Sequence, residues 1–228
     1  MKISIVIPTL NEEALIGPLV RHLLTVSAGL VQEVIVADGG SQDQTVTMAQ
    51  QAGARIVRCA GASRAKQMNA GARAAHHDIL HFIHADSWPP AGYAAEVVNA
   101  VKAGYKCGCF RSKFLTTNRF LLLNSYFTRF KGLVFRGGGQ TLFVEKQLFW
   151  QVQGYDERLL LMEEYDLIKR LSGQGRFTVL PQTVLVSARK YAQVGNVKLQ
   201  MAYGLVMLFY FLGAPQQKLQ QIYKRFIS

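Results

Sequence analysis

Residues 79–90, ILHFIHADSWPP, run as an apolar strand and then present His84 and Asp86 two positions apart, ahead of two prolines. An imidazole and a carboxylate at the end of a buried strand are ligand types for a divalent cation. Mg2+ in particular is commonly held by one or two carboxylates, with substrate phosphates filling other positions. A second cluster lies in YDERLLLMEEYDLIKRL, Tyr155 to Leu171. At about 100° per residue, Leu167, Ile168 and Leu171 define an apolar helix face centred close to Glu164, with Glu163 at its edge and Asp166 pointing away. Acids in a first helical turn ordinarily serve the helix dipole. An acid aimed at the core side is better placed for proton transfer.

The elements that must position these groups follow from hydrophobic period. Short β-branched or apolar runs at 2–7, 33–37, 55–59 and 79–83 read as strands, separated by helices through LIGPLVRHLL (with Asn11 as cap), over about 44–51 and over about 64–75. Such alternation implies a mainly parallel sheet covered by helices on both faces, with ligands beyond the carboxyl ends of the strands. Those ends carry Thr9 and Glu12, then Asp38, then Arg64, then His84 and Asp86. One Asp after a strand is ordinarily a turn or cap residue; four polar strand ends on one rim mark a site. There is no G-x-G-x-x-G after the first strand and no G-x-x-x-x-G-K-[ST], so neither a dinucleotide fold nor a P-loop is indicated. An acidic rim suits a diphosphate held through a cation, and Asp38 alternatively suits a ribose or base edge.

With 228 residues, half of them hydrophobic, the chain can build one large core. Its +12 charge is uneven: residues 1–100 carry seven basic and eight acidic side chains, residues 101–228 nineteen and six. A basic half points to an anionic partner: nucleic acid, a membrane surface or a phosphate-bearing substrate. No ribonucleoprotein motif or zinc-finger spacing accompanies it, so nucleic acid is not expected. Cys59, Cys107 and Cys109 read as strand or core residues, not as a disulfide framework or zinc site. The apolar run of MKISIVIPTLNEE is too short for a signal peptide, which places the chain in the cytoplasm. Leu199 to Ala214 is apolar nearly all round, but sixteen helical residues span roughly 24 Å against a hydrocarbon core of roughly 30 Å. It reads as a buried or interfacial helix, and flanking Lys190, Lys198, Lys218, Lys224 and Arg225 suit peripheral docking on the anionic inner face of a membrane.

The order IPTLNEE, VADGGSQDQT, a helix with NAGA, and FIHADS resembles the family 2 glycosyltransferases of the GT-A fold, which use nucleotide-diphosphate sugars. The resemblance implies an α/β, Rossmann-like, mainly parallel sheet flanked by helices. Residues 1–190 would form the transferase domain, with 1–110 the nucleotide-sugar half and 111–190 the acceptor half, and 191–228 a C-terminal helical segment. It also implies Mg2+ or Mn2+ on an Asp-x-Asp type motif, whose place His84-Ala85-Asp86 takes; Asp86 is the metal ligand and His84 a second ligand or an outer-shell contact. Thr9, Glu12 and Asp38 are implied to line the nucleotide pocket, and GASRAKQMNAGA to supply a donor-contacting Arg64. Glu163-Glu164 stand where the family has a Glu-Asp pair whose second acid deprotonates the acceptor. RGGGQ resembles a Gly-Asp-Gln-like turn with Gly139 in place of the acid, leaving Gln140 to reach the ligand. SARKYAQVG resembles an Arg-Arg-Trp-like element in which Arg189 and Lys190 would neutralise the leaving diphosphate. The expected reaction is a metal-dependent, inverting transfer to an acceptor hydroxyl, with a lipid-linked, saccharide or small-molecule acceptor left open. Two alternatives stand beside it. A nucleotidyltransferase would want a basic glycine-rich loop where IPTLNEE is acidic, and a basic nucleic-acid or membrane binder would leave the inward Glu164 without a role.

Overall fold

The computed structural model describes residues 1–227. Its elements are β1 (Ile3–Thr9), α1 (Glu13–Thr25), β2 (Val31–Asp38), α2 (Thr45–Gln51), β3 (Arg55–Arg58), α3 (Arg64–Ala74), β4 (Ile79–Phe82), β5 (Ser87–Trp88) and α4 (Tyr93–Lys102). The second half adds β6 (Cys107–Leu115), α5 (Arg119–Phe127), β7 (Leu142–Glu145), α6 (Lys146–Gln151), α7 (Glu163–Gln174), β8 (Phe177–Ser187), α8 (Arg189–Val194), α9 (Asn196–Phe211) and α10 (Gln216–Ile227). One sheet takes the strands in the order β3-β2-β1-β4-β7-β6-β8-β5. The β3-β2-β1-β4 block is parallel throughout, as the alternation of the first half requires. Beyond it β7 runs antiparallel to both β4 and β6, while β8 lies parallel to β6.

Period-two alternation builds the core on both faces of this sheet. Ile3, Ile5 and Ile7 of β1 pack with Ile16, Leu19 and Leu23 of α1 on one side. Val6 points to the other side, with Met68 and Ala72 of α3 and Leu167 and Leu171 of α7. Helix α3 is drawn unusually close there. A Cβ built on Gly71 would stand 2.3 Å from Val6 Cγ1, so glycine at this position is a condition of the contact. Cys107 and Cys109 are buried on β6 and Cys59 is half-buried after β3, all as free thiols.

Two local expectations are corrected. Asn11 does not cap α1: it sits at φ 53°, and its side-chain oxygen accepts from Gln42 N at 2.9 Å, while Glu12 occupies the N-cap. The chain leaves β1 through a left-handed residue, a conformation Asn tolerates, and the side chain is thereby spent across the rim. Glu163 is not at the edge of a buried face but is itself buried, because α3 brings a cation to it.

His81 stands in mid-β4 with no exposure, between Tyr93, Phe110 and Phe143, and its Nε2 lies 3.1 Å from Thr141 Oγ1. Burial drives its pKa down from 6.5 to about 3.

Two predictions follow from these contacts. Gly71→Ala destabilises the fold by about 1–3 kcal/mol through overpacking against Val6, whereas Gly173→Ala, with open space around its Cβ in α7, does not; denaturant titration of both variants reads the difference. The unfolded chain takes up a proton at His81 as pH falls below 6.5 and the folded chain does not, so this residue's contribution is complete above pH 6.5 and is lost towards pH 3. The loss has a limiting slope of about 1.4 kcal/mol per pH unit. Stability measured from pH 7 to 4 should fall less steeply in His81→Gln than in the parent.

Candidate active site

The site is built on the carboxyl ends of β1, β2 and β4. Thr9 and Asp38 are register partners at the ends of β1 and β2 and both are buried. Asp38 turns the loop after β2: its Oδ2 accepts from the backbone N–H of Gly40 and Ser41, each at 3.0 Å, and its Oδ1 from Ser41 Oγ at 2.5 Å. Thr9 Oγ1 is buried without a hydrogen-bond partner. Beside this loop opens a cleft of about 580 Å3 lined by residues that include Asp38, Ser41, Gln44, Arg58 and Cys59, within the size range of small-molecule sites.

Helix α3 ties the rim together through residues the sequence reading passed over. Gln67 is buried and its amide donates to Thr9 O and Ala37 O, both at 2.8 Å, clamping the ends of β1 and β2. A Cβ at Gly39 would stand 3.0 Å from Ala62 Cα and 3.1 Å from Gln67 Nε2, so the loop after β2 is shaped around this amide. Two residues on, buried Asn69 donates to Tyr155 O at 2.8 Å and Glu157 Oε1 at 2.9 Å, and accepts from Tyr155 N. It thus fixes the segment that leads into α7. Polar residues in a helical stretch look like a solvated face; the available signal was that Gln67 and Asn69 sit among Ala65, Met68, Gly71 and Ala72.

The chain enters α7 through Met162 at φ 68°, a left-handed residue ahead of the two acids. Both acids turn inward and meet different basic side chains. Glu163 Oε1 lies 3.7 Å from Arg64 Nη1 at the start of α3. Glu164 Oε1 lies 2.7 Å from Nε2 of His84, which follows β4. The two carboxylates are thereby driven apart. Burial raises the pKa of Glu163, and Arg64 only partly offsets it. Burial opposes ionisation of Glu164 as well, but the charge and hydrogen bond of His84 outweigh it and hold its pKa below the ordinary value. Burial would lower His84, and Glu164 reverses that, so the imidazole is raised. Asp166 faces away and pairs with Arg170, whose Nε donates to it at 2.8 Å.

Asp86 is half-buried at the same rim. Its carboxylate receives a long 3.5 Å contact from Ser87 Oγ, whereas Glu12 and Glu163 each face a guanidinium and Glu164 the His84 imidazole. Arg189, opening α8, reaches across to Glu12, with Nη1 donating to Oε2 at 2.8 Å, and so closes the rim over the end of β1. The structure therefore brings together Thr9, Glu12, Asp38, Arg64, His84, Asp86, Glu163, Glu164 and Arg189. Two expected residues are otherwise engaged. Lys190 turns from the rim to the Tyr223 hydroxyl on α10. Gln140 is buried, its amide donating to Phe110 O and Thr128 O, and it lines a small void beside Glu164.

Among the described residues no three His, Cys, Asp or Glu side chains cluster closely enough to hold a metal ion. With His84 Nε2 taken by Glu164, the donor set suited to a divalent cation is the Asp86 carboxylate. That set fits a hard cation whose remaining ligands come from water and a bound diphosphate.

The model of the family described as glycosyl transferase family 2 matches residues 4–157. The chain belongs to glycosyl transferase family 2. It is 46% identical over 55 residues to glucosyl-3-phosphoglycerate synthase of Mycolicibacterium smegmatis, a match covering 24% of this chain and only 18% of that protein's length. Among solved structures it is similar to glucosyl-3-phosphoglycerate synthase of Mycobacterium tuberculosis in complex with Mn2+, UDP and glucosyl-3-phosphoglycerate. The TM-score there is 0.58 and the identity 22%, over 80% of this chain and 70% of that one. It is also similar to S. aureus TarS in complex with UDP-GlcNAc, with TM-score 0.67 and 15% identity over 82% of this chain and 58% of that one. The fold is the α/β, GT-A arrangement of these structural neighbours.

Replacing Gln67 by Leu removes the buried amide from Thr9 O, which keeps the Gly39 N–H as its other donor, and from Ala37 O. That should cost about 0.5–1.5 kcal/mol per lost hydrogen bond, read as a lower denaturation midpoint with unchanged m-value.

Proposed function

We propose that this chain transfers a sugar from a nucleotide-diphosphate sugar to an acceptor hydroxyl by a single inverting displacement. The observation that carries the proposal is the meeting of α7 with the end of β4. The 2.7 Å contact of Glu164 with His84 brings an ionised carboxylate to the rim where Asp86, two residues on, is free to face a diphosphate.

The nucleoside end of the donor occupies the cleft beside Asp38, and the diphosphate extends along the rim towards Asp86. The UDP and UDP-GlcNAc in the complexes of the structural neighbours support this donor class. Asp86 would hold Mg2+ or Mn2+, which when bound supplies charge neutralisation at the leaving diphosphate. Arg64 and Arg189 add fixed positive charge at the same place. Glu164 accepts the proton of the acceptor hydroxyl as that oxygen bonds to the anomeric carbon and the bond from carbon to diphosphate breaks. His84 holds Glu164 in place and ionised, acting as its positioning partner and not as a metal ligand. Glu163, paired with Arg64, keeps that arginine at the rim.

Glu164→Gln should lower turnover about 10²- to 10⁴-fold and leave donor affinity unchanged. Release of nucleoside diphosphate from a panel of UDP, GDP, CDP and dTDP sugars measures turnover, and proton NMR of the product reads the anomeric configuration. Full turnover in Glu164→Gln would remove Glu164 as the base, and a retained anomer would remove the single displacement.

A further inference from the structure

We infer that the face formed by α5 and α9 is a docking surface for an anionic lipid bilayer. The two helices are joined side by side: Asn124 Nδ2 donates to Gln200 Oε1 at 3.1 Å, and Leu121 and Leu199 share a small core with Tyr191. Each then turns a second apolar stripe outward. On α5 this is Phe120, Leu123 and Phe127, and on α9 it is Val197, Met201 and Leu208, all between 41% and 66% exposed. Both sets recur at helical spacing, so each helix is apolar on its outer face as well as on its packed one. Large contiguous apolar patches on a protein surface mark interaction sites.

Charge selects the partner. The sequence has no Asp or Glu between Glu96 and Glu145 and none after Asp166, and these stretches contain both helices. Basic side chains lie directly on the aromatic rings of this region. Arg129 sits over Tyr126 with 3.6 Å to the ring centroid, and Lys218 over Phe209 at 4.9 Å. The acid whose charge reaches Tyr210 on α9 is Asp166, and Arg170 neutralises it. An apolar stripe with aromatic and basic borders and no acids matches the headgroup boundary of an anionic leaflet. Among the described residues no helix is long and apolar enough to cross a membrane, so the 16-residue α9 lies along the surface. The test of this surface does not require sugar transfer.

The test is co-sedimentation of the full chain with vesicles of phosphatidylcholine alone and of phosphatidylcholine with about one third phosphatidylglycerol. Each is measured at about 0.1 M and about 1 M salt, between which the Debye length falls from about 10 Å to about 3 Å. Binding should require phosphatidylglycerol and weaken at high salt. Met201→Glu and Leu208→Glu, at exposed positions, should each reduce it about tenfold or more with unchanged melting temperature, and Arg129→Gln about fivefold. Failure to bind phosphatidylglycerol vesicles at low salt, or equal binding by the glutamate variants, overturns the inference. So does a dimer in sedimentation equilibrium that Leu208→Glu splits while vesicles stay unbound, since a second copy would then own this face.

Discussion

The contact of α3 with β1 and β2 is the constraint from which the site follows. Gly71 lets the helix approach Val6 more closely than any side chain would allow. At that distance the Gln67 amide reaches the last carbonyls of both strands and Asn69 reaches the segment before α7. A single helix thus sets the spacing of the rim on one side and the entry of the acidic helix on the other. It also carries Arg64 at its first turn, so the cation that meets Glu163 is placed by the same contact.

Three of the carboxylates at the rim are held in pairs. Arg189 holds Glu12, Arg64 holds Glu163, and His84 holds Glu164. Asp38 is taken up by the N–H groups and hydroxyl of its own loop, whereas, among the described residues, Asp86 has neither such bonds nor an ion pair, and a charged group in that position is suited to a ligand that brings its own cation. The His84–Glu164 contact gives the unusual HAD sequence a physical meaning. An imidazole after β4 cannot replace a carboxylate as a hard-metal ligand of equal charge, but it can hold the neighbouring acid ionised in a site from which water is largely excluded.

The parallel half of the fold was legible because β-branched runs of fixed period leave few alternatives, and the rim residues were legible because they end those runs. The limits of that reading have equally definite causes. Asn11 resembles a helix cap, yet its conformation and its bond to Gln42 depend on a loop thirty residues away. A helical wheel drawn from Leu167, Ile168 and Leu171 directs Glu164 inward correctly but has no knowledge of Arg64, which is what allows Glu163 to be buried too. Lys190 lies beside Arg189 in the chain, but the turn of α8 sends one to the rim and the other to Tyr223. Gln67 and Asn69 serve backbone carbonyls brought near only by tertiary structure.

Donor binding at Asp86 is the claim on which the functional account rests. The measurement that tests it most directly is a thermal-shift series with UDP, GDP, CDP and dTDP sugars, with and without Mn2+, on the parent chain and Asp86→Ala. A ligand at a hundredfold excess over its dissociation constant stabilises the folded state by about 2.7 kcal/mol. The account predicts a Mn2+-dependent rise in melting temperature with one nucleotide class and its disappearance in Asp86→Ala. No shift with any donor, or an equal shift in Asp86→Ala, would contradict it.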